Sequence, residues 1–228
     1  MKNYDVILFD LDGTLTDSGD GIMDAAAWAM EKMGLPPRER AWMRRFVGPP
    51  LLDSFRDLCG LGEADRVRAV AYYREYYGEK GILENSLYPG IPEMLGALRA
   101  AGKRLVIATS KAEPVARQVV ANLRLGPFFE YVAGGRLDGT RTEKDEVIAY
   151  ALESCGAPGR SRAVMVGDRY YDLLGARKAG VDSVGVLYGY GGREEMTRAG
   201  ATYVAATVEE LGGILLGRDA RAPADAGE

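Results

Sequence analysis

The sequence predicts an α/β protein, a doubly wound parallel sheet into which an all-helical segment is inserted. Three observations carry that expectation. Short apolar runs rich in strand formers recur at 6–9, 105–108, 131–133, 163–166, 183–187 and 202–205. Amphipathic stretches of helix length separate the later runs, at roughly 91–101, 112–124, 143–155, 171–180 and 193–200, and strands alternating with helices argue for parallel pairing. The interval from 18 to 85 breaks the alternation, with three helical patterns and no convincing strand.

Taken in order, Val6, Ile7, Leu8 and Phe9 form an unbroken apolar run ended by Gly13, so they read as a buried strand followed by a turn. Asp10 and Asp12 then stand where that strand leaves its sheet. Within the insert, Tyr72, Tyr73, Tyr76 and Tyr77 fall at i, i+1, i+4 and i+5, one helical face. Packing inside the insert is the role expected of them, with ligand stacking a lesser one. The division expected is 1–17 and 86–217 for the sheet domain and 18–85 for the helical insert. The chain crosses between them at 16–21 and 85–88, where glycines and polar residues can absorb a hinge motion. Residues 218–228, a run of Ala, Gly, Pro and charges without periodicity, read as a disordered tail.

Bulk composition removes several function classes. A chain of 228 residues, 47% hydrophobic, can bury one substantial core and a smaller domain. Its net charge of -4 gives no general attraction to a nucleic acid polymer or an anionic membrane, and no apolar run approaches the ~18 residues that span a bilayer. The chain has no histidine, which excludes Ser-His and Cys-His catalysis and His-ligated metals. Two distant cysteines, Cys59 and Cys155, and the absence of a signal-like apolar stretch suggest a reducing cytoplasm.

Ligands of open α/β sheets bind beyond the carboxyl ends of the strands, and four groups of polar residues fall there. Asp10, Asp12, Gly13 and Thr14 suit a turn, yet two acids leaving one buried strand repel unless a cation or proton holds them. Thr109 and Ser110 follow the second long run; Ser110 with Glu113 matches a capping box and Pro114 a helix start, which leaves Thr109 free beside backbone N–H groups suited to phosphate. Lys144 stands in a first helical turn, against the macrodipole, so it is either a tolerated surface lysine or the holder of an anion. Asp168 and Asp172 follow the run at 163–166 one turn apart, and although Asp172 also suits a helix start, hard oxygens gathered beside Asp10 are what Mg²⁺ prefers.

These residues, in this order, resemble the four motifs of the haloacid dehalogenase-like phosphatases: Asp10-Leu11-Asp12-Gly13-Thr14-Leu15, Thr109, Lys144, and Gly167-Asp168 with Asp172. The resemblance covers residues 4 to about 188. It implies a Rossmann-like core with a helical cap between the first two motifs, and a Mg²⁺-dependent hydrolysis of a small phosphorylated metabolite. Asp10 would be the nucleophile, forming an aspartyl-phosphate, and Asp12 the acid and then the base. Mg²⁺ would be held by the Asp10 carboxylate, the Asp12 carbonyl and Asp168, with Asp172 as ligand or neighbour. Phosphoryl oxygens would meet Thr109, Ser110, Lys144 and the Gly13–Thr14 turn.

The leaving group falls to the cap, where Arg45, Gly48 and Pro49, in the stretch Arg44-Arg45-Phe46-Val47-Gly48-Pro49-Pro50-Leu51, are the candidate contacts. Phe46-Val47-Gly48-Pro49-Pro50-Leu51, with Tyr88-Pro89-Gly90-Ile91-Pro92, the segment around Arg141 and Lys144 and the run from Gly185 to Gly191, is most similar to a 5′-nucleotidase-like subgroup, which makes a nucleoside 5′-monophosphate the expected substrate. Phosphoglycolate phosphatases are also similar, but Asp145 stands where they usually carry proline, and Arg169 and Tyr170 replace smaller residues. A phosphomutase of the β-phosphoglucomutase type is the remaining enzymatic alternative.

Overall fold

The computed structural model of the protein describes residues 2–157 and 159–218. The expected tail at 218–228 lies outside them, apart from Arg218. From the amino end the chain forms β1 (Val6–Phe9), β2 (Thr16–Asp17), α1 (Gly19–Lys32), α2 (Arg40–Met43), α3 (Leu51–Cys59) and α4 (Glu63–Glu79), and returns through β3 (Ser86–Leu87). Thereafter helices and strands alternate as α5 (Ile91–Ala100), β4 (Arg104–Ala112), α6 (Glu113–Asn122), β5 (Tyr131–Gly135), α7 (Lys144–Ser154), β6 (Ala163–Gly167), α8 (Tyr170–Ala179), β7 (Asp182–Val186), α9 (Arg193–Ala199), β8 (Tyr203–Ala205) and α10 (Val208–Leu215).

Six strands make one sheet in the order β5-β4-β1-β6-β7-β8, paired in parallel throughout. The chain builds outward from β1 through β4 to β5, then crosses to the other side for β6, β7 and β8. The reversal falls at β1, whose carboxyl end therefore opens into the crevice between the two wings. Strand residues alternate between faces: Ile7, Phe9, Ile107 and Val166 join the layer of α5, α6 and α10, whereas Leu8, Val106, Ala108 and Met165 meet α7 and α8. Both faces being covered explains why β1 reads as an unbroken apolar run. Phe9 is fully buried with its ring edge-on to Phe129, so truncation to alanine costs about 3–5 kcal/mol.

The stretch between β2 and β3 is helical, as expected. Trp28 on α1 packs against Tyr76 on α4 at 5.8 Å, and Phe46 meets Phe55 of α3 at 5.2 Å. The two crossings pair with each other as an antiparallel ribbon, Thr16 opposite Leu87 and Asp17 opposite Ser86. Strands of two residues are too short to leave a period-2 signal. The Tyr190 hydroxyl fastens the ribbon to the core by donating to the Asp17 carboxylate and accepting the Gly19 N–H.

Two local expectations are corrected. β4 does not end at Ala108 but runs on to Ala112, with an irregular register between Thr109 and Ala112. Ser110 therefore lies in the strand extension and does not cap the helix. Its hydroxyl donates to the Thr142 carbonyl at 2.9 Å, and Glu113 pairs with Arg117 and Arg141. The second correction is α10, a helix with no counterpart in the expected element list. Thr207 accepts the Glu210 N–H while Glu210 accepts that of Ala206, so the Thr-x-x-Glu start signal was present in the sequence.

Candidate active site

Asp10 is the first residue beyond β1, and its N–H still donates to Val166 of β6 at 2.9 Å. The chain then turns at once: the N–H of Gly13 donates to Thr16 at 2.7 Å and those of Leu15 and Thr16 to Leu11. Gly13 takes φ +82°, and a Cβ there would lie 2.2 Å from an Asp168 carboxylate oxygen, so glycine alone fits. The Thr14 hydroxyl is turned toward Asp168, at 3.4 Å. The turn thus packs the carboxyl end of β1 directly on that of β6.

The sheet register brings Asp10, Asp168 and Asp172 together, with one oxygen of each within 4.8 Å of the others. All three are buried. Asp168 accepts the Tyr190 N–H at 2.8 Å, and Asp172, in the first turn of α8, accepts the Arg169 N–H at 3.1 Å. Asp172 therefore does serve the helix start, with its other oxygen turned inward. Lys144, the first residue of α7 and also buried, places its ammonium 2.9 Å from Asp10 and 2.7 Å from Asp172. Its hydrogen bond goes to the Ala108 carbonyl. The surface-lysine reading of Lys144 is thereby removed, because the residue is only 5% exposed.

Three carboxylates and one ammonium leave a surplus of negative charge in a buried site. Burial first, then Asp172 and Asp12, raise Asp10 to about 6 against the pull of Lys144. Burial, then Asp172 and Asp10, hold Asp168 well above the usual carboxylate range. Burial lowers Lys144, but Asp10 and Asp172 outweigh it and keep the ammonium charged. Asp10 Oδ1 and Asp172 Oδ1 are buried oxygens that face the Lys144 ammonium and no other donor, so each keeps a lone pair to offer. An all-oxygen donor set with unsatisfied lone pairs and surplus negative charge fits a hard divalent cation.

Asp12 faces the other way, toward the insert. Both of its oxygens accept from Lys111, at 2.8 and 2.9 Å, and the Lys111 ammonium also sits 4.4 Å over the Tyr77 ring of α4. Sequence reasoning missed Lys111 because the residues around it matched a helix start. Burial opposes its charge, but Asp12 and then Tyr77 keep its proton affinity above the ordinary lysine value. Asp10, Asp12, Thr109, Ser110 and Lys111 form the core wall of a cavity of about 500 Å³.

The insert forms the opposite wall. Gly48 and Pro49 line the cavity. Arg45 is exposed, with its guanidinium 5.6 Å from the Trp42 ring, and does not reach the cavity. Arginines that do line it are Arg56, Arg66, Arg74 and Arg136. The tyrosine face of α4 is divided between roles. Tyr76 packs on Trp28 inside the insert, while Tyr73 and Tyr77 stack on each other at 5.6 Å and border the cavity. Among the described residues no helix is long and apolar enough to cross a membrane.

Comparison with known proteins agrees with this geometry. Residues 7–186 match the model of the haloacid dehalogenase-like hydrolase family. A 5′-nucleotidase of Pseudomonas aeruginosa is 40% identical over 93% of this chain and 96% of its own length. The tyrosine-protein kinase PtkA of Mycobacterium tuberculosis is 42% identical over 90% of this chain and 70% of its own. A predicted phosphatase from Clostridium acetobutylicum superposes with a TM-score of 0.92 at 39% identity, covering 95% of this chain and all of that one. With the family match spanning most of the chain and the acids, threonine and lysine brought to one crevice, this protein belongs to the haloacid dehalogenase-like hydrolases and is a phosphoric monoester hydrolase of that family.

Proposed function

We propose that this protein is a Mg²⁺-dependent phosphatase acting through an aspartyl-phosphate, with nucleoside 5′-monophosphates as its substrates. One observation carries the mechanism. The two aspartates at the end of β1 occupy opposite settings, Asp10 buried beside Lys144, Asp168 and Asp172, and Asp12 turned to the cavity against Lys111. A carboxylate oxygen of Asp10 attacks phosphorus, and the bond from phosphorus to the leaving oxygen breaks. Asp12 gives that oxygen its proton, then takes one from the water that attacks the phosphoenzyme, and free phosphate departs.

Lys144 holds Asp10 in line and meets the phosphoryl oxygens with Thr109. Ser110 steadies the strand extension through Thr142. Asp12 must exchange its Lys111 partner for the leaving oxygen, and a substrate anion that draws the ammonium away accomplishes this. The carboxylates of Asp10, Asp168 and Asp172, with the carbonyl of Asp12, would hold Mg²⁺, which when bound would supply positive charge against the phosphate that otherwise repels the nucleophile.

The size and lining of the cavity support a nucleotide over phosphoglycolate. A volume of about 500 Å³ greatly exceeds a two-carbon leaving group and lies within the range for organic ligands of roughly 300–1,000 Å³. Along one stripe of α4 it meets Arg66, Val70, Tyr73, Arg74 and Tyr77. From Tyr77, beside Lys111, to Arg66 is about 16 Å along the helix axis, a span that suits a sugar and base. Arg66 Nε is buried without an acceptor, which a substrate oxygen or nitrogen supplies.

The test is phosphate release from nucleoside 5′-monophosphates, phosphoglycolate and sugar phosphates, with Mg²⁺ and with chelator. Metal-dependent preference for nucleotides is expected; preference for phosphoglycolate would overturn the substrate assignment, and equal rates in chelator would overturn the metal. Because PtkA is similar over most of this chain, ATP with a tyrosine peptide belongs in the panel, and phosphotyrosine without phosphate release would overturn the hydrolase reading.

A further inference from the structure

Arg169 is the residue after Asp168, and neither the chemistry above nor the motif pattern assigns it a task. Its backbone belongs to the acid cluster, since its N–H donates to Asp172 at 3.1 Å. Its side chain leaves the core. Nε donates to Glu195 of α9 at 2.9 Å, and Glu195 also accepts the Tyr170 N–H at 2.8 Å, so the root of the arginine is clamped. Beyond that clamp the guanidinium crosses to the insert and donates to the Val47 carbonyl.

The receiving loop is built for this arm. Gly48 takes φ +109°, and a Cβ on it would lie 2.8 Å from Arg169 Cγ, so the glycine is both a backbone and a space requirement. Val47 is fully buried, and Gly48 and Pro49 line the cavity opposite Asp10 and Asp12. The side chain of Arg169 is only 16% exposed, so its hydrogen bonds compete little with water.

We propose that Arg169 is a positioning residue that latches the Val47-Gly48-Pro49 loop over the cavity and thereby sets affinity for the leaving group. The inference rests on the phosphatase reading only for its kinetic arm. A rigid link from the residue beside Asp168 to the loop above the leaving group makes loop placement depend on the same backbone that places the acids. Lysine at this position keeps the charge but not the fork that serves Glu195 and Val47 together.

The experiment compares wild type, Arg169→Gln, Gly48→Ala and the double variant. Hydrogen exchange of the free protein is the arm that needs no substrate. Both single variants are expected to raise exchange about tenfold in 44–52, as for loss of one charge-assisted hydrogen bond, with 168–175 unchanged. Unchanged exchange in 44–52, or equal acceleration in 168–175, would overturn the latch. In kinetics, KM for a nucleoside 5′-monophosphate is expected to rise about tenfold with kcat within about twofold, and the double variant to be no worse than the worse single one. A fall in kcat alone, or additive losses, would assign Arg169 to the acid cluster instead. If wild type releases no phosphate from any ester, the phosphatase reading fails and the exchange arm still decides the latch.

Discussion

Replacing Lys144 by methionine removes the single ammonium from a buried site that holds three carboxylates. Methionine keeps much of the volume, so the effect is one of charge. Asp10 and Asp172 each lose a partner within 3 Å, 2.9 and 2.7 Å away, in a site where all three side chains are buried. Breaking a buried ion pair by removing one partner costs about 3–5 kcal/mol. At about 2–4 °C per kcal/mol for a chain of this length, the Tm in chelator falls by roughly 6–20 °C. Thermal unfolding is the assay, run in chelator and across a Mg²⁺ titration. Added Mg²⁺ is expected to restore more stability to the variant than it adds to wild type, because it supplies the missing positive charge. Phosphate release falls by about 10²–10³, as for loss of one transition-state donor. A variant with wild-type Tm in chelator would refute the reasoning, since it would mean that the carboxylates do not depend on Lys144 for their charge balance.

Asp10→Asn is expected to lower phosphate release at least about a thousandfold. Because Asp10 is raised from 3.8 to about 6, its contribution to metal-free stability is full at low pH and is lost as pH rises through 6. In chelator, wild type should therefore lose about 2 kcal/mol relative to Asp10→Asn between pH 4 and 7, measured by denaturant unfolding of both proteins. Lys111→Met, by leaving Asp12 without its partner and Tyr77 without its cation, should lower kcat/KM about 10–100-fold, and a steady-state assay showing no change would remove Lys111 from the site. Arg66→Ala and Arg74→Ala should each raise KM for nucleotides about tenfold while leaving phosphoglycolate turnover unchanged; equal effects on both substrates would count against the length argument. Arg45→Ala, by contrast, should leave KM within about twofold, because its side chain lies on Trp42 outside the cavity.

How much was legible from the sequence depended on the physics of each feature. The sheet was readable because its strands are covered on both faces, which writes them as apolar runs, and because helices of ordinary length separate them. The acids, Thr109 and Lys144 stood out because each follows an apolar run or opens a helix, although β4 runs on past Thr109 and Asp172 also serves the start of α8. Lys111 was not, because Ser110 and Glu113 imitate a capping box and so hide a strand that continues to Ala112. The ribbon of β2 and β3 was too short to show a period. Arg45 shows the limit of placing side chains from a motif: the Gly48–Pro49 turn does face the cavity, but a three-residue difference along a helical turn points the arginine elsewhere. The partition of Tyr73, Tyr76 and Tyr77 of α4 between Trp28 and the cavity required the neighbouring elements, which sequence spacing alone does not supply.

The most direct test of the central claim is to trap the phosphoenzyme. Wild type, Asp10→Asn and Asp12→Asn would be mixed with nucleoside 5′-monophosphate and Mg²⁺, quenched in acid within the first turnover, and digested for mass spectrometry. The account predicts one phosphoryl group on the peptide carrying Asp10 in wild type, longer-lived in Asp12→Asn, and none in Asp10→Asn. Phosphate release by wild type with no label on that peptide, or label that persists in Asp10→Asn, would contradict it.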